Sequence, residues 1–222
     1  MLEAIAMAER LKQFREIGKK IVAVCRNYKG LTAAQGIPNP KTPSLFAKPT
    51  TAYITEGQSI RIPEGCNLLY HEVELGVVIK QKCSNIAVSD VDAYIGGFVL
   101  ALDMTAKDFH NEAKANSRPW FLSKGFDTSC PVSDFIEKEK VPNYQDVRLW
   151  LKVDGVIKQD DSTSDMIFSV PEVISYISKY ITLEEGDVVL TGTPDGQGPV
   201  TDGQIVEAGL ADIVSMKFSV AK

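Results

Sequence analysis

Apolar residues along this chain fall mostly into short β-branched blocks, and helical periodicity is confined to a few segments. KIVAVC (20–25) reads as a strand, and SLFAKP (44–49), TAYIT (51–55) and SIRIP (59–63) follow as successive short strands. YHEVELGVVI (70–79) and IGGFVLALDMT (95–105) are long apolar runs of strand type. VRLWLKVDGVIKQ (147–159) predicts a hairpin turning at Asp154-Gly155, while GDVVL (186–190) and DIVSMKFSV (212–220) close the chain as strands. Helical spacing predicts helices over AKDFHNEAK (106–114) and SVPEVISYISKYI (169–181), with Pro171 accommodated in the first turn of the latter. RNYKGLTAAQGIPNPKTPS (26–44) carries three prolines and two glycines and reads as a long irregular loop with one helical turn around Leu31 to Gln35. RPWFLSKGFDTSCPVS (118–133) also reads as irregular. An N-terminal helical extension over residues 1–18 has an apolar face of Leu2, Ile5, Leu11, Phe14 and Ile17. The pattern is α+β and predominantly β, with residues 19–222 forming a single domain.

Composition narrows the function classes. With 222 residues, 44% of them hydrophobic, the chain can bury a substantial core. A net charge of -5 with scattered Lys and Arg offers no electrostatic footprint for nucleic acid or an anionic membrane surface. No apolar run reaches the ~20 residues of a membrane span, and the N-terminus lacks a secretory core. Cys25, Cys66, Cys83 and Cys130 lie far apart, as expected of reduced thiols in a soluble intracellular protein. Glu3, Glu9 and Glu16 fit poorly with a mitochondrial presequence, so the expectation stays open between mitochondrion and cytosol.

Candidate chemistry centres on three carboxylates in apolar surroundings. Glu72 and Glu74 lie two apart and so share one face of a strand, which could be a solvated face or a functional one. Asp103 ends FVLAL without polar relief, and a buried carboxylate is costly unless it is paired or binds a metal. An all-oxygen set suits a hard cation such as Mg²⁺, Mn²⁺ or Ca²⁺. LTGTPDGQGPV (190–200) is either a tight glycine-rich turn or a backbone cradle for a carboxylate or phosphate. Lys124 reads by default as a surface lysine, and any histidine chemistry must use His71 or His110.

Together, KIVAVCRNY, LFAKP, YHEVELGVVI, YIGGFVLALDMTAKD, PWFLSKGFDTSCPVS, MIFSVPEVISYIS and ITLEEGDVVLTGTP resemble the fumarylacetoacetate hydrolase family, most closely its short branch of acylpyruvases and oxaloacetate decarboxylases. The resemblance runs from about residue 19 to the end. It implies a mixed β-sheet roll, usually a homodimer, with Glu72, Glu74 and Asp103 as ligands for Mg²⁺ or Mn²⁺ and a small 2-keto acid as substrate. It further implies that Lys124 stabilises the enolate, that Gly192 and Thr193 receive the substrate carboxylate, and that Arg26 and Tyr28 enter the lid.

The departures from the family pattern bear on activity. Where hydrolases of the family carry a histidine and, three residues on, a glutamate that activate water, this chain has Leu31 and Ala34. Lys107 and His110 replace the usual arginine and glutamine, and Gln197 stands where valine is usual. General-base catalysis contributes roughly 10²–10⁴-fold, so hydrolysis is expected to be impaired unless a substitute such as His110 acts. Decarboxylation and keto–enol tautomerisation of oxaloacetate need no attacking water. A catalytically silent binding or structural protein is the alternative expectation.

Overall fold

The computed structural model describes residues 9–222. A six-stranded sheet runs in the order Ile136–Glu137, Ile95–Leu102, Val73–Ile79, Val188–Leu190, Ile21–Cys25 and Ser44–Lys48. Only its Ile21–Cys25 and Val188–Leu190 pair is parallel. A five-stranded sheet orders Val156–Ser162, Arg148–Val153, Ile205–Leu210, Val214–Ala221 and Ile60–Arg61, and a three-stranded sheet orders Gly198–Val200, Leu69–His71 and Thr105–Ala106. The α+β, predominantly β expectation therefore holds, with mixed sheets.

Alternation explains why the central sheet is apolar on both faces. Leu75, Val77 and Ile79 point into the main core with Leu149, Leu151, Val206 and Phe218 of the five-stranded sheet. Val78, Val99, Val188 and Leu190 point the other way, where Leu11 and Phe14 pack against them. Phe14 belongs to a short helix, Phe14–Ile17. The expected helical residues Leu2 and Ile5 lie outside the described residues.

Local expectations are met where turn and cap chemistry is strong. Asp154 (φ 49) and Gly155 (φ 78) turn the 148–162 hairpin, and Ser169 with Glu172 forms a capping box on the helix Val170–Tyr180. Three details differ from the sequence reading. The helical turn in the long loop is a helix over Lys29–Ala34, and the stretch read as irregular contains a helix over Phe121–Lys124 and a short strand over Cys130–Pro131. The run holding Glu72 and Glu74 is two strands, because the chain leaves the three-stranded sheet after His71 and enters the six-stranded sheet at Val73, with Glu72 at the crossing.

Candidate active site

The register of two neighbouring strands assembles the carboxylates. Val73 pairs with Leu102 and Glu74 with Ala101, and the Asp103 N–H donates to the Glu72 carbonyl at 2.8 Å, continuing the ladder one step past its last pair. Since side chains alternate, Glu72, Glu74 and Asp103 project to the same face. Each contributes an oxygen to a group lying within 4.8 Å of one another.

Two buried lysines hold this charge. Lys124 Nζ donates to Asp103 Oδ2 at 2.5 Å and to Glu72 Oε2 at 3.0 Å, and lies 4.8 Å from the Phe46 ring centroid. Lys48 is 1% exposed and donates to the carbonyls of Met104 (3.2 Å), Ser129 (2.9 Å) and Lys124. Its ammonium also lies 2.7 Å from Asp103 Oδ1, a buried ion pair. Among the neighbouring groups, Thr105 Oγ1 donates to Glu72 Oε1 at 2.8 Å and Gly192 N–H to Glu74 Oε2 at 2.7 Å.

Burial raises the Glu72 carboxyl, a rise opposed by Lys124 and reinforced by Asp103. Glu74 stands well above the usual carboxylate range through burial and the charges of Asp103 and Glu72. Asp103 is lowered, because Lys124 and Lys48 outweigh its burial. Lys124 is raised: burial acts against its charge, but Asp103 and Glu72 prevail. Three carboxylates facing two ammonium groups are one positive charge short of neutrality. That leftover charge, in an all-oxygen set whose atoms lie within 4.8 Å of one another, makes the trio a fit for a hard divalent cation.

The cavity above the trio has a volume of about 180 Å³ and is lined by Glu72, Glu74, Lys124, Thr105, Thr193, Arg26, Lys107, His110, Lys114, Trp120, Leu31 and Gln197, among others. Lys107 is lowered by burial and by nearby Lys114, Lys124 and Arg26, and its ammonium stacks on Tyr70. Arg26, Lys107 and Lys114 pair with no carboxylate among the described residues, so the mouth is cationic although the chain is acidic. Leu31 presents an apolar side chain to the cavity, and Ala34 is exposed on the same short helix.

Not every expected residue reaches the cavity. Tyr28 is fully buried with an unpartnered hydroxyl, and Gly192 uses its N–H to hold Glu74 rather than to face the cavity. Gly192 is required there: its φ is +95°, and a Cβ would stand 2.8 Å from Asn27 Cβ. Thr193 does line the cavity, with its hydroxyl donating to the Val73 carbonyl at 2.8 Å. His71 is buried away from the cavity, its Nδ1 3.0 Å from Gln159 Oε1, and burial lowers it to about 4.

Sequence reading missed Lys48 and Gln159. The lysine of LFAKP ends an apolar strand, a signal of the same kind as Asp103 after FVLAL. Gln159 accepts from Val73 N–H (3.1 Å) and donates to Thr193 Oγ1 (2.8 Å) and the Pro194 carbonyl (2.9 Å), joining the start of the Val73–Ile79 strand to the turn after Val188–Leu190. Nothing in its own neighbourhood announces this.

Residues 20–221 match the family model described as fumarylacetoacetate (FAA) hydrolase C-terminal. The chain is 48% identical over 218 residues to human mitochondrial oxaloacetate tautomerase FAHD1, covering 98% of this chain and 99% of that one. It is 46% identical over 212 residues to the mitochondrial oxaloacetate decarboxylase of Dictyostelium discoideum, covering 95% and 97%. The solved structure of fumarylpyruvate hydrolase from Pseudomonas aeruginosa in complex with Mn²⁺ and pyruvate superimposes with a TM-score of 0.87 at 27% identity, covering 92% of this chain and 90% of that one. On the family match over nearly its whole length, this chain belongs to the fumarylacetoacetate hydrolase family.

Proposed function

We propose that this protein is a divalent-metal-dependent enzyme of small 2-keto acids, working on oxaloacetate as a tautomerase or decarboxylase, with acylpyruvate hydrolysis impaired by Leu31 and Ala34. The observation carrying this reading is the convergence of Glu72, Glu74 and Asp103 with Lys124, where Glu72, Glu74 and Lys124 line a cation-rimmed cavity and Asp103 lies buried behind them. The names borne by its tautomerase and decarboxylase relatives support it. No observation favours a silent binding or structural protein.

Glu72, Glu74 and Asp103 would hold the ion, Mg²⁺ or Mn²⁺ by their oxygen chemistry. When bound, the ion supplies Lewis acidity toward the keto group of a 2-keto acid. Lys124, kept protonated by its carboxylate partners, holds negative charge developing on the substrate's enolate oxygen. Arg26, Lys107 and Thr193 line the cavity where substrate carboxylates would bind, while the Gly192 N–H holds Glu74 from behind. Leu31 offers no group that could accept a proton from an attacking water.

We assign residues 19–222 to the catalytic domain and 1–18 to an extension, and propose a homodimer. Phe121 (58% exposed) and Leu122 (75% exposed) supply apolar surface for association, testable by sedimentation equilibrium. The mitochondrial relatives make the mitochondrion the compartment to examine first by fractionation. The function is tested by assaying the purified protein with Mg²⁺ or Mn²⁺ on oxaloacetate and acetylpyruvate beside Glu72→Ala. Turnover of oxaloacetate that vanishes in the variant is expected. Wild-type rates no higher than the metal-only background would refute the reading.

A further inference from the structure

His110 sits on the helix Lys107–Ala115, one turn past Lys107 and one turn before Lys114, so the three residues present one face to the cavity. Its Nδ1 lies 3.3 Å from Ser123 Oγ, and its ring meets Trp120 edge-on at 4.8 Å between centroids. Ser123 is 1% exposed, and its hydroxyl donates to the Trp120 carbonyl at 2.8 Å, the back-bonding common for serine in a helix. A serine has one hydroxyl proton, and the 2.8 Å contact directs it to that carbonyl, which also accepts the Ser123 and Lys124 N–H groups. With the serine proton there, the Ser123–His110 bond at 3.3 Å has the imidazole donating from Nδ1. The alternative would direct the serine proton to the ring and leave two oxygens facing each other at 2.8 Å without a hydrogen. In the Nδ1–H tautomer the lone pair belongs to Nε2, which has no partner among the described residues and is not a sealed buried atom.

We propose that Ser123 and Trp120 fix His110 as the Nδ1–H tautomer, and that its Nε2 is the base and acid that interconverts the keto and enol forms of the substrate. The proposal rests on the 2-keto acid reading of the site. Starting from the keto form, Nε2 takes a proton from C3. The C3–H electron pair becomes the C2=C3 π bond, and the carbonyl π pair moves to the C2 oxygen. The imidazolium then returns the proton to that oxygen, giving the enol, and the reverse sequence gives the ketone. No water and no further reactant enter, consistent with the apolar wall at Leu31.

Burial holds His110 down to about 4, assisted by Lys124, Lys114 and Lys107 and opposed by Asp103, so the free enzyme presents it neutral at physiological pH. His110 is a catalytic residue in this scheme, and Ser123 and Trp120 are positioning residues.

The test uses the full chain loaded with Mg²⁺, following the loss of enol absorbance of oxaloacetate, with decarboxylation measured separately. His110→Ala is expected to lower the tautomerisation kcat by about 10²–10⁴-fold, with Mg²⁺ affinity by calorimetry unchanged. Ser123→Ala is expected to lower kcat more than it raises KM. In the metal-free protein, ¹⁵N imidazole shifts should give Nδ1–H for His110 and a mixed tautomer in Ser123→Ala. An unchanged tautomerisation rate in His110→Ala, or an Nε2–H tautomer in the wild type, overturns the inference while leaving the proposed function standing. Failure of the wild type to act on any 2-keto acid overturns the reading of the site itself, and with it this role for His110.

Discussion

Lys48 has three carbonyl acceptors and a carboxylate neighbour, all of them out of water. Removing its charge by Lys48→Met would leave Asp103 with Lys124 alone and strand buried carbonyls. Stability should fall by about 3–5 kcal/mol, measured by urea unfolding. Glu74 behaves in the opposite sense in the metal-free protein. Burial, Asp103 and Glu72 lift its carboxyl well above its ordinary 4.5, so between the unfolded and folded values the native state binds the extra proton. Its favourable contribution is complete below about 4.5 and is lost as pH rises through the folded value. Glu74→Gln should therefore melt higher than wild type at pH 8 without metal, flatten the decline between pH 5 and 8, and abolish the rise in Tm on adding Mg²⁺. A wild type whose metal-free Tm is no lower at pH 8 than the variant's would contradict this. At this scale the sequence was informative about carboxylates, because an acid in an apolar run conflicts with its surroundings. It was silent on Ser123, an ordinary residue whose importance depends on a helix turn bringing it against His110.

Between elements, the site depends on a crossing and a clamp. Glu72 occupies the step between two sheets, where the chain is free of a ladder on its own strand yet fixed by its carbonyl bond from Asp103. Gln159, reaching from the 148–162 hairpin, ties His71, Val73, Thr193 and Pro194 together. Gln159→Leu would leave the Val73 N–H and the Pro194 carbonyl unpaired in the interior. We expect a loss of about 1–3 kcal/mol in urea unfolding and weaker Mg²⁺ binding by calorimetry, since the Glu72–Glu74 segment loses its brace. The hairpin was legible through Asp154-Gly155, because a two-residue turn is local chemistry. Its contribution to the site was not, because register with a strand some eighty residues away is set by tertiary pairing.

Over the whole molecule, the central sheet is closed on one face by the five-stranded sheet and on the other in part by Leu11 and Phe14. Phe14→Ala should cost about 3–5 kcal/mol, seen as a lower urea midpoint with unchanged m-value. The strands themselves were readable from apolar blocks, but their order was not: the parallel pairing of Ile21–Cys25 with Val188–Leu190 joins segments from opposite ends of the chain. The family resemblance supplied mixed sheets in a roll, but not this pairing. The short helix Lys29–Ala34 touches the carboxylate floor nowhere in sequence and carries none of its charge. In the proposed mechanism, water activation and electrophilic power therefore sit on separate pieces of chain. Leu31→His combined with Ala34→Glu should raise acetylpyruvate hydrolysis by about 10²-fold or more at unchanged Mg²⁺ affinity. A change confined to one short helix would then alter the proposed reaction without touching the carboxylate floor.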